Sequence, residues 1–317
     1  MAVETGQYAE ALETALTERD LELQETEFPE IMINEALPIE NQTDIAIEYV
    51  EFGVVDVLGS VNDGLIGNKT NSLKTLDADI TIQKATWAVW AKAAAWTELE
   101  AQKVAKVGVD AVKAKQDALY ANAMATIQYA GFLGHEQAKG QEGLLNSPSV
   151  GVSATINKTI KAMTAQEVID MLLNAYGAVW SRSGYRVAPT TFAFDAADYM
   201  AIMGKFVDVP ILNADGMPIN AIDRVLSALR KTAGNESITV DFVKIPSNYA
   251  RGLTNGNTRF AVYVKDESCV SMRVYSPEVL AVHQRDLLTY ESGYQAGFSG
   301  ALWKQPLSAT YVDYKSS

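Results

Sequence analysis

The chain has 317 residues, a formal net charge of −13 at pH 7, and 48% hydrophobic residues. This length and apolar content predict an ordered protein with a sizeable core, divided into two lobes. The acidic balance argues against a protein that grips nucleic acid through clustered Lys and Arg. We also predict no membrane span, because no apolar run reaches about 18 residues.

The first 50 residues carry almost all of the charge. They contain 13 acidic residues and one basic residue, a net charge of −12, which leaves −1 for the other 267 residues. Apolar residues at helical spacing predict a short amphipathic helix, followed by an extended segment at 31–39. We expect this region to be an arm that docks on another subunit. The alternative is a solvated, self-repelling tail.

Two strand patterns follow the arm. Residues 45–58 are rich in β-branched side chains, and residues 73–90 contain a stretch that alternates between apolar and polar side chains. Residues 59–72 between them are rich in Gly, Asn and Ser, which favours a long hairpin with a mobile tip. Because an isolated hairpin cannot bury its apolar face, something outside it must cover that face.

A long helix is predicted next, from Thr97 to Gly131. Thr97 and Glu100 have the spacing of a capping box, and nothing breaks the helical pattern until Gly131. Beyond the loop that ends near Pro148, alternating elements predict an α/β lobe. A capping box at Thr164 to Glu167 opens a helix that ends near Gly184. Strands are predicted at 192–194, 238–245 and 260–264, and further helices at 195–203 and 219–229.

The sequence supplies few groups for catalysis or metal binding. It has two histidines, His135 and His283, and one cysteine, Cys269, which we expect to be a small buried hydrophobe. No nucleophile elbow, phosphate-binding loop or dinucleotide fingerprint is present. Zinc would lack its usual ligands, and the NADGMP turn at 213–218 lacks most calcium-loop ligands. We therefore predict no enzyme activity, no cofactor and no metal.

The order of arm, long hairpin, long helix and loop resembles the major capsid protein of tailed bacteriophages, the shell fold named after phage Hong Kong 97 and shared with encapsulins. Gly143-Leu144-Leu145-Asn146 is similar to the family's GLLN after the spine helix. Gly297 to Gly300 and Pro306 to Asp313 resemble its closing strands, and Pro38-Ile39 resembles part of its N-arm.

This resemblance implies an α+β, Hong Kong 97-like capsid fold in five segments. They are an N-terminal arm (1–45), an E-loop hairpin (46–92), a P-domain with the spine helix (93–149), an α/β A-domain (150–275) and P-domain return strands (276–317). The implied function is a major capsid protein that self-assembles into hexamers and pentamers of an icosahedral phage head enclosing double-stranded DNA. An encapsulin-type shell and a soluble α/β enzyme remain as alternatives.

The expected assembly residues lie in the hairpin and the long helix. Gly59, Gly64 and Gly67 would let the hairpin bend between fivefold and sixfold surroundings. The acidic arm is expected to pair with a neighbour's helix, on which the candidate bases are Lys103, Lys106 and Lys113. By resemblance to cross-linked family members, Lys69 would form an isopeptide bond with an Asn; the alternative is an exposed, solvated lysine.

The expected partners are other copies of the chain, a portal, and in some systems decoration proteins. Because only about 45 residues precede the hairpin, we expect any scaffolding protein to be a separate chain. DNA would be enclosed without sequence-specific binding. The single cysteine and the acidic N-terminus suit assembly in the host cytoplasm, and the final location would be the virion.

Overall fold

The computed structural model describes residues 31–58, 77–105, 111–207, 219–233, 240–253 and 256–316. The helices are α1 (Ile33–Ala36), α2 (Glu98–Ala105), α3 (Ala111–Leu133), α4 (Ala165–Arg182), α5 (Ala196–Met203), α6 (Ala221–Ala233) and α7 (Ser247–Ala250). The strands are β1 (Ile39–Asn41), β2 (Tyr49–Leu58), β3 (Asp77–Thr86), β4 (Ala88–Thr97), β5 (Val152–Ile156), β6 (Thr191–Asp195), β7 (Asp241–Ile245), β8 (Asn257–Tyr263), β9 (Val270–Val279), β10 (His283–Gln284), β11 (Thr289–Trp303) and β12 (Ala309–Lys315). None of the described helices is long and apolar enough to cross a membrane.

The described strands form three sheets. One has the order β1-β9-β11-β10, with β4 also paired to β11. A second has the order β5-β12-β8-β6-β7, so the last strand of the chain lies between two strands of the α/β region. The third contains only β2 and β3. Helices and sheets are mixed along the chain, as the sequence predicted.

The chain divides into two compact units. The described residues of the first lie within Lys92–Ala121 and Val279–Tyr294, and the second comprises Pro29–Ala91, Asn122–Glu278 and Gln295–Ser317. The second unit holds two large buried clusters. One includes Phe132, Leu144 and Tyr311, and the other is built on α4 with Phe192 and Phe260. The predicted five-segment division of the chain remains a prediction.

Local sequence signals position α4 and α5 correctly. Thr164 and Glu167 form the predicted capping box, with Thr164 Oγ1 accepting from the Glu167 N–H at 3.2 Å and Glu167 Oε2 accepting from the Thr164 N–H at 2.8 Å. Gly184, with φ of 65°, follows the helix end. Asp195 caps α5 by accepting from the N–H groups of Ala197 and Asp198. Cys269 is buried, as expected.

The predicted end of the long helix was wrong. Gly131 lies inside α3, which continues to Leu133, and the left-handed residue that follows the helix is Gly134, with φ of 72°. The absence of a side chain at Gly131 allows Ile33 to pack closely against the helix, because a Cβ there would lie 2.5 Å from Ile33 Cδ1. The start was predicted correctly, since the Glu100 N–H donates to Thr97 Oγ1 at 3.2 Å. The sequence predicted one continuous helix, but residues 106–110, which link α2 to α3, lie outside the described part.

The prediction of a wholly extended segment at 31–39 was also wrong. It contains the helical turn α1, and β1 follows it in parallel pairing with β9. Ile33, Ala36 and Leu37 are buried in the chain's own core rather than on a neighbour. Tyr263 donates its hydroxyl to the Ala36 carbonyl at 2.5 Å, and Gln128 Oε1 accepts from the Met32 N–H at 2.6 Å. Residues 1–30 of the predicted arm lie outside the described part.

Candidate assembly surfaces

The predicted hairpin is present as β2 and β3. Ten antiparallel residue pairs run from Tyr49 opposite Thr86 to Leu58 opposite Asp77. The second strand, β3, lies within the predicted range, and Trp87 separates it from β4. The Trp87 indole N–H donates to the Ile45 carbonyl at 3.1 Å, and the ring packs with Val50 and Leu302. The base of the hairpin is therefore anchored in the second unit.

Farther from this anchor the hairpin is open. Ile82 is 61% exposed although it lies on the predicted apolar face. The Lys84 ammonium pairs with Glu51 Oε1 at 2.7 Å across the two strands, in solvent. No third strand pairs with β2 or β3 among the described residues. An exposed isoleucine on a two-stranded ribbon is a feature expected of a surface that a second molecule covers.

The residues proposed at the hairpin tip and on the helix are only partly described. Gly59, Gly64, Gly67, Lys69 and Lys106 lie outside the described residues. Lys103 is on α2 and Lys113 on α3, and both are exposed. They remain candidates for assembly contacts.

A different lysine stabilises the helical region of the first unit. Lys115 Nζ donates to Glu100 Oε1 at 2.7 Å and to the Ala95 carbonyl at 3.0 Å. The hydrogen bond from Lys115 lowers the pKa of Glu100. The sequence pattern did not identify Lys115, because its partners lie on preceding elements rather than on its own helix.

The GLLN loop is a structural cap for α3. The N–H groups of Leu144 and Leu145 donate to the carbonyls of Gly131 and Phe132 at 2.8 and 3.0 Å, and the Asn146 amide donates to the Leu133 carbonyl. The final carbonyls of the helix therefore have partners. Gly143 is required for this close approach, because a Cβ there would lie 2.4 Å from the Phe132 carbonyl.

Residues near the end of the chain hold this loop in place. The Tyr311 hydroxyl donates to the Leu144 carbonyl at 2.7 Å and accepts from the Ser147 N–H at 3.2 Å. Arg259 donates to both oxygens of Asp313, at 2.6 and 2.9 Å, and to the Leu145 carbonyl at 3.0 Å. The Arg259 guanidinium also lies 4.7 Å from the centre of the Tyr311 ring. We name Arg259, Tyr311 and Asp313 the loop clamp.

The loop clamp explains the closing motif of the sequence. Tyr311 and Asp313 lie on β12, directly opposite Ala261 and Arg259 of β8. All three clamp residues are buried, so their polar groups need partners inside the protein. Sequence reasoning identified Tyr311 and Asp313 as part of a motif, but it did not identify Arg259 or the interaction that they serve.

A second buried polar group lies at α5. Asp198 is completely buried; its Oδ2 accepts from the Tyr314 hydroxyl at 2.8 Å, and its Oδ1 has no hydrogen-bond partner among the residues that the structure describes. The neighbouring Asp195 accepts from the Ser247 hydroxyl at 3.0 Å and from Arg251 Nε at 2.9 Å. Burial raises the pKa of the Asp198 carboxyl, and the charge of Asp195 acts in the same direction.

Asp198→Asn should change how stability depends on pH. A carboxyl whose pKa is raised by folding stabilises the folded chain at low pH, and this contribution is lost as the pH rises through the raised pKa. The Asn variant lacks this loss, so its stability relative to the wild type should increase by about 1–3 kcal/mol between acidic and slightly basic pH. Urea unfolding of both proteins across this pH range measures the difference.

The control is Asp195→Asn, which removes the carboxylate that pairs with Arg251 but keeps a side-chain oxygen able to cap α5. It should lower stability at neutral pH, where Asp198→Asn should not. If the difference in unfolding free energy between the wild type and Asp198→Asn stays constant with pH, the raised pKa at Asp198 is contradicted.

The residues considered for catalysis or metal binding are only partly described. No cluster of three or more His, Cys, Asp or Glu side chains that could hold a metal is present among them. His135 follows α3 and stacks near Tyr129 and Phe298, and His283 is exposed on β10. Residues 213–218 lie outside the described part.

Comparison with known proteins identifies both a family and a fold. A family model described as "Major capsid protein" matches residues 62–314. The structure of the capsid of Myoviridae phage XM1 is similar at a TM-score of 0.76 and 17% identity, covering 95% of this chain and 97% of that one. A structure from Mycobacterium phage Adephagia gives a TM-score of 0.63 at 11% identity, covering 98% of both chains.

A third solved structure, the capsid of a native GTA particle computed with C5 symmetry, gives a TM-score of 0.60 at 8% identity. It covers 95% of this chain and 96% of that one. No curated protein matches the chain. At these identities the structural matches show the fold, and the predicted Hong Kong 97-like capsid fold is confirmed.

Proposed function

Because this chain belongs to the major capsid protein family, we propose that its copies assemble into the hexamers and pentamers of an icosahedral head of a tailed phage. The head would enclose double-stranded DNA without sequence-specific contacts. Assembly in the host cytoplasm, with a separate scaffolding protein and a portal, belongs to the same proposal. The protein would act by assembly alone, without catalytic turnover. Neither the encapsulin-type shell nor the soluble enzyme is favoured by the family match.

The observation that carries the assembly mechanism is the open hairpin. Its base is fixed by Trp87, whereas Ile82 farther along is 61% exposed. Covering Ile82 with a second copy would remove its apolar side chain from water, which is favourable. In a closed symmetric ring the same contact is repeated at every subunit, so many weak contacts together stabilise the assembly.

The first unit also exposes apolar side chains. Leu287 is 91% exposed in the turn between β10 and β11, and Leu288 and Val282 are exposed beside it. The turn is ordered by hydrogen bonds, including the Arg285 N–H to the Thr289 carbonyl at 2.9 Å. Exposed leucines on an ordered turn support a protein whose surface is completed by assembly.

Electron microscopy of the purified protein, with size-exclusion chromatography, tests the proposal. We expect closed shells with fivefold and sixfold clusters. Particles from infected cells should contain DNA, whereas an encapsulin-type shell would contain protein cargo. A compact oligomer of a few copies, with no rings or cages, would overturn the proposal.

A further inference from the structure

A basic cleft lies at the end of α4 in the second unit. It has a volume of about 650 Å³, and its lining includes Arg182, Arg186, Val187, Lys304 and Leu307. Leu307 is 58% exposed there. The cleft therefore combines cationic groups with apolar side chains.

Two of its cations are not neutralised. Arg182 and Arg186 are exposed and form no ion pair with any described acidic residue. Lys304 is already engaged, because its ammonium donates to Glu40 Oε1 and to the Glu267 carbonyl, both at 2.8 Å. The positive charge available to a partner is therefore that of the two arginines. Arginine suits this role because its planar guanidinium can hold a carboxylate through two parallel hydrogen bonds.

The chain itself contains a segment with the complementary chemistry. Residues 1–30 have nine acidic residues and one basic residue, a net charge of −8. Within them, leucines alternate with polar and acidic residues at Leu21-Glu22-Leu23-Gln24-Glu25. If this stretch were extended, Glu22 and Gln24 would face one side, and Leu21, Leu23 and Glu25 would face the other. A segment that carries both carboxylates and leucines is complementary to a cleft lined by two arginines and Leu307.

We propose that the acidic segment, residues 1–30, docks in the Arg182–Arg186 cleft of a neighbouring copy. This inference rests on the proposed function, since it requires copies to be adjacent in a shell. It assigns the acidic arm to this cleft instead of the lysines of α2 and α3. An extended chain of 30 residues spans up to about 100 Å, which is enough to reach an adjacent subunit.

Contacts of the described arm residues support this assignment. Glu40 bridges two cations, with Arg273 Nε at 3.1 Å and Lys304 Nζ at 2.8 Å. An acidic residue of the arm therefore already binds a cation of the cleft wall within one chain.

Site-specific photo-crosslinking in assembled particles tests the proposal. A photoreactive residue replaces Leu307 in the cleft or, as the matched control, Leu99 on α2, four positions from Lys103. The two leucines are equally accessible, at 58% and 59% exposure. The full-length chain is co-expressed with a copy that carries an N-terminal affinity tag. We expect crosslinks from position 307, and not from position 99, to residues 1–30 of the tagged copy.

Charge reversal makes the test specific. Arg182→Glu with Arg186→Glu should lower the crosslink yield by at least about tenfold, since opposite charges become like charges. Adding Glu22→Lys and Glu25→Lys should restore much of it. Both arginines are exposed, so folding should be unchanged, and thermal unfolding verifies this.

Three outcomes would overturn the inference. They are crosslinks from position 99 instead of 307, a yield at 307 that charge reversal does not change, and crosslinks only within one chain. Particle formation is scored separately by electron microscopy. Normal shells without the expected crosslink would refute the docking site while leaving the proposed function intact.

Discussion

Replacing Arg259 with methionine should destabilise the unassembled chain by about 3–5 kcal/mol, because it leaves the Asp313 carboxylate buried without a counter-ion. Asp313 is 3% exposed and receives two hydrogen bonds from Arg259, at 2.6 and 2.9 Å. The Leu145 carbonyl and the face of the Tyr311 ring lose the same guanidinium. Urea unfolding of the soluble subunit, compared with the wild type, measures the loss.

Two further variants separate charge from geometry in the loop clamp. Arg259→Lys keeps the positive charge but cannot bond both carboxylate oxygens in parallel. Its stability should therefore lie between those of the wild type and Arg259→Met. Combining Arg259→Met with Asp313→Leu removes the unpaired charge and should recover part of the stability. A loss below about 0.5 kcal/mol for Arg259→Met, the usual range of surface substitutions, would contradict a structural role for the pair.

Features set by neighbouring residues could be predicted from the sequence. The helix α4 begins at a capping box whose two members are three residues apart, and both hydrogen bonds of that box form. Strands β2 and β3 follow β-branched and alternating stretches, and they pair as predicted over ten positions. In each case the signal lies within one element, where local propensity and period decide the structure.

Features set by distant residues were not predicted. A glycine near the end of a helical pattern normally indicates its end, yet α3 continues past Gly131 to Leu133, and the missing side chain at Gly131 makes room for Ile33. The role of the GLLN loop depends on Tyr311 and Arg259, more than 100 residues away in the chain. No periodicity or local motif encodes a contact between such distant residues. The motif residues could therefore be identified from the sequence, but their contacts could not be predicted.

The arm shows the same limit in another form. The arm was expected to dock on another subunit, but Ile33 and Leu37 are buried in their own chain. The sequence could not indicate which chain buries an apolar side chain, because a pattern of apolar residues carries no information about the partner. Residues 32–41 dock on their own chain through β9 and α3.

Deleting residues 60–72 should abolish shells while leaving folded, soluble subunits. Leu58 pairs with Asp77 at the outer end of the described hairpin, so the deletion leaves five residues, Gly59 and 73–76, to connect the strands. Loops of this length join antiparallel strands readily, and the base remains anchored by Trp87. The reach of the hairpin toward a second copy is lost, and with it the contact repeated at every subunit. Electron microscopy and size-exclusion chromatography score particle formation, and thermal unfolding verifies the fold.

The matched control replaces the same 13 residues with an equal length of Gly and Ser, which keeps the reach but removes the side chains. Gly59 is outside the deletion, whereas Gly64, Gly67 and Lys69 are within it. If reach alone matters, the Gly/Ser variant should form shells. If contacts of the tip matter, it should fail like the deletion. Normal particles from the deletion variant would refute the role of the hairpin, because the shell would then be held by surfaces that exclude its tip.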